Sequence, residues 1–178
     1  MKLYVVRHGE TAINVKRLVN SWNMIGLNDK GRMQARNAGD KLQEEPIDLI
    51  ICSPLIRTKQ TCKLINKKKK RVIYDKRLLE RNARSMQFKS IEILDWDKWY
   101  DPKQNVIYSD TEGFKSVLDR INLFIEELKE KYMDKNILIV THGDVCKAFY
   151  SNINKISDVD KIKAYKHGNC EIKIYNVN

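Results

Sequence analysis

The sequence predicts an α/β protein, a single domain built as a three-layer α/β/α sandwich around a mostly parallel central sheet. Three observations predict it. Short runs rich in Val, Ile and Leu alternate with longer segments of helical period. Two of the short runs, Leu3-Tyr4-Val5-Val6 and Ile137-Leu138-Ile139-Val140, are apolar throughout, as strands covered on both faces are. The 178 residues, 42% of them hydrophobic, suffice for one substantial core, and no linker divides them, so a single domain over 1–178 is expected.

Each element follows from local pattern. Leu3 to Val6 reads as the first strand. Asn28 or Asp29 can cap a helix running to about Glu44, with Met33, Ala35, Ala38 and Leu42 facing inward and Pro46 ending it. Leu49-Ile50-Ile51-Cys52 is the second strand. Ser53 and Pro54 then offer an N-cap and a proline at the first helical position, and the helix carries Leu55, Thr58, Cys62 and Ile65. Val72-Ile73-Tyr74 is the third strand. Residues from about Ser90 to Trp99 read as helical. A long helix is expected over roughly Thr111 to Tyr132, because Phe114, Val117, Leu118, Ile121, Phe124, Ile125 and Leu128 fall on one stripe. Ser109-Asp110-Thr111-Glu112 fits a capping box at its start. Asn136 to Val140 is the fourth strand, followed by a helix through Ala148 and Phe149. Ile172-Lys173-Ile174-Tyr175 alternates, as a strand near a sheet edge does.

Composition limits what such a domain can do. The formal net charge of +11 admits nucleic acid, an acidic membrane surface or an anionic small substrate. The densest run, Lys67 to Arg71, lies between a predicted helix and a predicted strand and reads as a solvated loop. No RNP pattern, zinc knuckle or GxxG loop accompanies it, so no nucleic-acid partner is expected. No apolar stretch reaches membrane-spanning length, and the first residues lack a signal-peptide pattern, which predicts a cytoplasmic protein with no membrane partner. The 4 cysteines form no Cys-x-x-Cys pair and are expected reduced, with Cys52 and Cys146 in the core. Oligomeric state is not legible.

The chemistry-bearing residues stand at strand ends. The first strand runs into Arg7-His8-Gly9-Glu10-Thr11, the fourth into Thr141-His142-Gly143, and the second into Ser53 with Arg57 one helical turn on. In a parallel sheet these ends share one edge, where open α/β sheets bind ligands. Two arginines offer planar forks suited to phosphoryl oxygens, and a neutral imidazole offers a nucleophilic nitrogen. The 3 histidines could also suggest a metal. Arg7 beside His8 opposes a divalent cation, however, and no His-x-x-x-His spacing occurs, so neither metal nor cofactor is expected.

These stretches together resemble the histidine phosphatase superfamily, the phosphoglycerate mutase-like proteins. Arg7-His8-Gly9-Glu10-Thr11 with Asn14 is similar to the family signature. Cys52-Ser53-Pro54-Leu55-Ile56-Arg57-Thr58 resembles its Ser-Pro-Leu-x-Arg-Thr segment, Val140-Thr141-His142-Gly143 its second histidine motif, and Leu79-Glu80-Arg81 the segment with its acidic residue. The resemblance implies a phosphoglycerate mutase-like fold and a phosphorylated small-molecule substrate. It implies His8 as nucleophile, Glu80 as general acid and base, and Arg7, Arg57 and His142 as phosphoryl clamps. It also implies a phosphate contact from Asn14, and Arg81 is read as a contact to a substrate anion. Glu10 is expected to orient its loop, His167 to be a turn residue, and Trp96, Trp99 and Tyr100 to pack or cover the pocket.

Two departures bear on this reading. Arg84 and Phe88 stand where glycines are common after the acidic residue, so the loop is expected to take another path. The segment Trp96 to Pro102 lacks the arginine pair of mutases proper. The short chain and the missing pair favour a metal-independent phosphomonoesterase of histidine acid phosphatase type, working through phosphohistidine. The alternatives are a phosphoglycerate mutase or related phosphotransferase, a non-catalytic phospho-ligand module, and a nucleic-acid binder resting on charge alone.

Overall fold

Alternate residues of the central strands go to opposite faces of one sheet, and each face buries its own pair of helices. The computed structural model describes residues 1–177. In chain order it contains β1 (Lys2–Arg7), α1 (Ala12–Val15), α2 (Asp29–Lys41), β2 (Leu49–Cys52), α3 (Ile56–Ile65) and β3 (Val72–Tyr74). There follow α4 (Trp96–Trp99), β4 (Val106–Ile107), β5 (Thr111–Glu112), α5 (Phe114–Tyr132), β6 (Asn136–Thr141), α6 (Gly143–Asn154), α7 (Val159–Ala164) and β7 (Ile172–Asn176). The main sheet has the order β3-β2-β6-β1-β7. Its first four members are mutually parallel, and β7 pairs antiparallel with β1.

The period of two along each strand sorts the core. Leu3, Val5, Leu49, Ile51, Ile137 and Ile139 pack with Phe114, Val117, Ile121 and Phe124 of α5 and Phe149 of α6. Tyr4, Val6, Ile50, Cys52, Leu138 and Val140 pack with Ala35 and Ala38 of α2 and Cys62 and Ile65 of α3. This is the three-layer arrangement that the apolar runs predict. Register then fixes the functional edge. Arg7 lies opposite Thr141 in the β1–β6 pair, and Cys52 lies opposite Val140 in the β2–β6 pair. Residues 8, 53 and 142 therefore leave the sheet together.

Several boundaries differ from the local reading. Met33 is 54% exposed, so α2 buries the smaller Ala35 and Ala38 with Leu42 and turns Met33 to solvent. Ser53 does not cap α3: the helix begins at Ile56 with Leu55 as its N-cap, and the Ser53 hydroxyl has a partner across the sheet edge. Ser90 to Trp99 is not one helix. A 3-10 turn spans Ile91–Ile93, and Asp95 then caps α4 by accepting from the Asp97 and Lys98 amides, which restarts the backbone. Thr111 and Glu112 form β5 against β4 instead of opening α5. The Glu112 carboxylate accepts from the Asn82 amide and from Arg120 Nε, so tertiary partners outcompete the capping box. Gly113 is the N-cap of α5, and a Cβ there would lie 2.0 Å from the Gln104 carbonyl oxygen. Arg84 and Phe88 have φ of 40° and 67°, so the loop after Glu80 adopts left-handed backbone without glycine. Among the described residues no helix is long and apolar enough to cross a membrane.

Candidate active site

Backbone hydrogen bonds hold the two histidine segments side by side. The His8 amide donates to the Thr141 carbonyl at 2.9 Å and the Ser53 amide to the Val140 carbonyl at 3.0 Å. The His8 and His142 rings meet edge to face, with centroids 5.3 Å apart. His8 Nδ1 donates to the Gly9 carbonyl at 2.8 Å, which leaves its Nε2 with a free lone pair. Gly9 is fixed in turn: its amide donates to Thr61 Oγ1, and a Cβ at Gly9 would lie 2.4 Å from the Gly31 oxygen. His142 Nε2 lies 2.7 Å from Ser53 Oγ, while its buried Nδ1 has no partner among the described residues.

The site is positive, and its two histidines and Arg57 are buried. Arg57 is fully buried and donates to the backbone oxygens of Ser21 and Asn23. Arg7 donates to the His167 carbonyl at 3.0 Å. The Nε atoms of Arg7 and Arg57 are buried without partners among the described residues. Burial, followed by Arg57 and Arg7, holds the His8 imidazole well below the usual range, and so keeps it neutral. Burial, then Arg57 and His8, does the same to His142.

Glu80 sits at the start of α6. Its Oε2 accepts from the Gly143 amide at 3.1 Å, and its Oε1 from the amides of Arg81 at 3.0 Å and Asp144 at 3.3 Å. Its own carbonyl accepts from Trp22 Nε1 at 2.7 Å. Burial and then the Asp144 carboxylate push Glu80 up to about 7, against the pull of Arg57, the Arg81 amide and Arg7.

A cavity of about 880 Å³ opens beside this cluster, with Arg7, Asn14, Glu80 and Gly143 in its wall. His8, Arg57 and His142 are buried behind that wall and do not line it. Asn14 uses its side-chain oxygen to accept from the Thr11 amide and hydroxyl, which orients its amide nitrogen as the remaining donor. Glu10 accepts from Asn28 and Lys30, tying its loop to the start of α2 as expected. Trp96, Trp99 and Tyr100 form the wall across the cavity, Trp96 stacked on Tyr100.

The expectation for Arg81 is corrected. It is 1% exposed, lies over the rings of Trp99, Tyr100 and Phe114, donates to the Trp99 carbonyl and pairs with Asp144 at 2.9 Å. Aromatic faces and a half-buried carboxylate hold the guanidinium inside, away from the cavity wall. His167 is likewise more than a turn residue. It is buried, its ring bridges the Tyr165 hydroxyl and the Glu171 carbonyl, and its own carbonyl holds Arg7. Asp144 is a further polar residue of the site, and an acid directly after His-Gly is its signal in the sequence. Among the described residues no group of three or more His, Cys, Asp or Glu side chains is gathered as metal ligands would be.

Known proteins resemble this chain along most of its length. The chain is 26% identical over 193 residues to phosphoserine phosphatase 1 of Hydrogenobacter thermophilus, covering 99% of this chain and 85% of the relative. It is 30% identical over 154 residues to the adenosylcobalamin/alpha-ribazole phosphatase of Escherichia coli K12, covering 82% of this chain and 75% of the relative. The crystal structure of the alpha-ribazole phosphatase from Shigella flexneri superposes with a TM-score of 0.86 at 25% identity, covering 100% of this chain and 91% of that one. The family model of the histidine phosphatase superfamily (branch 1) matches residues 3–178, and the chain belongs to that superfamily.

Proposed function

We propose that this protein is a phosphomonoesterase that passes the phosphoryl group of a small phosphorylated molecule first to Nε2 of His8 and then to water. The observation that carries the proposal is the His8 ring itself: Nδ1 is committed to the Gly9 carbonyl, the ring is neutral, and Nε2 is free. Nε2 attacks phosphorus in line as the ester P–O bond breaks. Glu80, a carboxyl with its proton retained close to neutral pH, gives that proton to the leaving oxygen. Arg7, Arg57, His142 and the amide nitrogen of Asn14 donate to the phosphoryl oxygens and hold the charge that spreads over them. Water then attacks phosphorus as the P–N bond breaks, and the Glu80 carboxylate takes the water's proton.

The proposed reaction uses no metal, because fixed cations stand where a metal would otherwise neutralise charge. The phosphatase relatives support hydrolysis. So does the segment 96–102, which contains no arginine to grip the acid group of a mutase substrate. Cytoplasmic placement is part of the proposal and is supported by four buried free cysteines.

The test is hydrolysis of p-nitrophenyl phosphate by wild type and His8→Ala, both in EDTA, with acid-quenched samples assayed for acid-labile protein-bound phosphate. Wild type should turn over and carry the label, and His8→Ala should do neither. Turnover retained in His8→Ala would refute the assignment.

A further inference from the structure

One carboxylate, Asp144, joins the aromatic wall of the cavity to the carboxyl group of Glu80. Its Oδ1 accepts from the Tyr100 hydroxyl at 3.0 Å and its Oδ2 from Trp99 Nε1 at 3.2 Å. Oδ2 also pairs with Arg81 Nε at 2.9 Å, and Arg81 in turn holds the Trp99 carbonyl. The backbone amide of Asp144 donates to Glu80 Oε1 at 3.3 Å. Asp144 is the second residue of α6, so its position is set by the helix that His142 caps.

We propose that Asp144 is a positioning residue for phosphoryl transfer: it fixes the Trp99–Tyr100 wall and supplies the negative charge that keeps the Glu80 proton in place. This rests on the reading of Glu80 as general acid. The groups facing Glu80 make the need plain. Arg7 from β1 and Arg57 from α3 favour its anion, as do the amides of Arg81, Gly143 and Asp144. Burial and Asp144 favour the acid, and the buried Tyr100 hydroxyl and Cys146 thiol lie within the same field. A carboxyl among so many donors and cations would ordinarily be ionised at neutral pH, and an ionised Glu80 cannot protonate a leaving alkoxide.

The experiment compares the pH profile of kcat/KM for an alkyl phosphate in wild type, Asp144→Asn, Asp144→Glu and Glu80→Gln. In parallel, the Glu80 carboxyl is titrated by carbon-13 NMR in the full-length protein. Wild type should lose activity as pH rises through about 7. In Asp144→Asn that limb and the NMR midpoint should move about one pH unit lower. Asp144→Glu should restore the wild-type midpoint at least in part. An unmoved midpoint in Asp144→Asn overturns the proposal. If Asp144→Asn fails to fold, Tyr100→Phe decides. Removing a donor from Asp144 leaves its charge more strongly felt, so the Glu80 midpoint should rise, and a fall or no change overturns the proposal. Glu80→Gln separates the two readings. A limb that persists there belongs to another group and removes the Glu80 assignment itself, whatever Asp144 does to the NMR titration.

Discussion

Ser53 Oγ and His142 Nε2 lie 2.7 Å apart, joining the end of β2 to the end of β6 across the sheet edge. When the hydroxyl donates, His142 carries its proton on Nδ1, the buried nitrogen without a protein partner. In that arrangement Ser53 holds the tautomer in which His142 can donate to a phosphoryl oxygen. Ser53→Ala should cost about 1 kcal/mol of that donation, or roughly fivefold in kcat/KM. The nitrogen-15 shifts of the His142 ring should at the same time report a mixed tautomer. Unchanged shifts with unchanged kinetics would remove Ser53 from this role.

Glu80→Gln should discriminate between leaving groups. The amide keeps the shape of the side chain but has no proton to give. Hydrolysis of alkyl phosphates should fall by about 10²-fold or more, whereas p-nitrophenyl phosphate, whose phenolate leaves unassisted, should lose less than about tenfold. Equal losses on both substrates would mean that Glu80 acts before chemistry and not as the acid.

Acid should destabilise the fold from about pH 6.5 downward. His8, His142 and His167 are held below the ordinary 6.5 chiefly by burial, His167 at about 4. Below pH 6.5 the unfolded chain takes up protons that these native imidazoles refuse, so stability falls with pH. Glu80 acts in the opposite sense. It is raised from 4.5 to about 7, so its stabilising contribution is present below 4.5 and is lost as pH rises through 7. Three groups oppose one between pH 6.5 and 4.5, and Tm should drop across that interval. A calorimetric Tm that rose on acidification would contradict this balance.

Gly31→Ala should damage the site from outside it. A Cβ at Gly31 would lie 2.1 Å from the Glu10 carbonyl oxygen and 2.6 Å from the Glu10 nitrogen, both backbone atoms. The first turns of α2 press directly on the loop that carries His8. Either the loop or the helix must shift, at about 1–3 kcal/mol. Gly168→Ala is the control, since its Cβ would meet only the Glu171 side chain, at 3.4 Å and beyond. Equal melting temperatures for the two variants would show that the approach of Gly31 to the loop is not tight.

The central strands were legible because their apolar residues alternate between two cores, a pattern written one residue at a time. The edge residues were legible because strand order does not matter to them: any parallel sheet brings Arg7, His8, Ser53 and His142 to one side. What escaped reading depends on distant partners. The β4–β5 hairpin has two residues in each strand and no period to detect. Glu112 fits a local cap yet serves Arg120 and Asn82. Arg81 looked like a ligand contact because nothing in its neighbours announces Trp99, Tyr100 and Phe114 around it. Asp144 is meaningful only once Trp99 and Tyr100 are seen to reach its carboxylate.

The segment before β7 supplies the His167 carbonyl to Arg7 and the Asn169 amide to the His8 carbonyl, contacts that span 160 and 161 residues. During synthesis the phosphate-binding loop emerges first and its fastenings nearly last. Closing so long a loop is slow compared with forming the helices between. A nascent or truncated chain lacking β7 would carry every histidine phosphatase motif and still hold Arg7 loosely. Under the proposed reaction, the onset of activity would be tied to completion of the sheet.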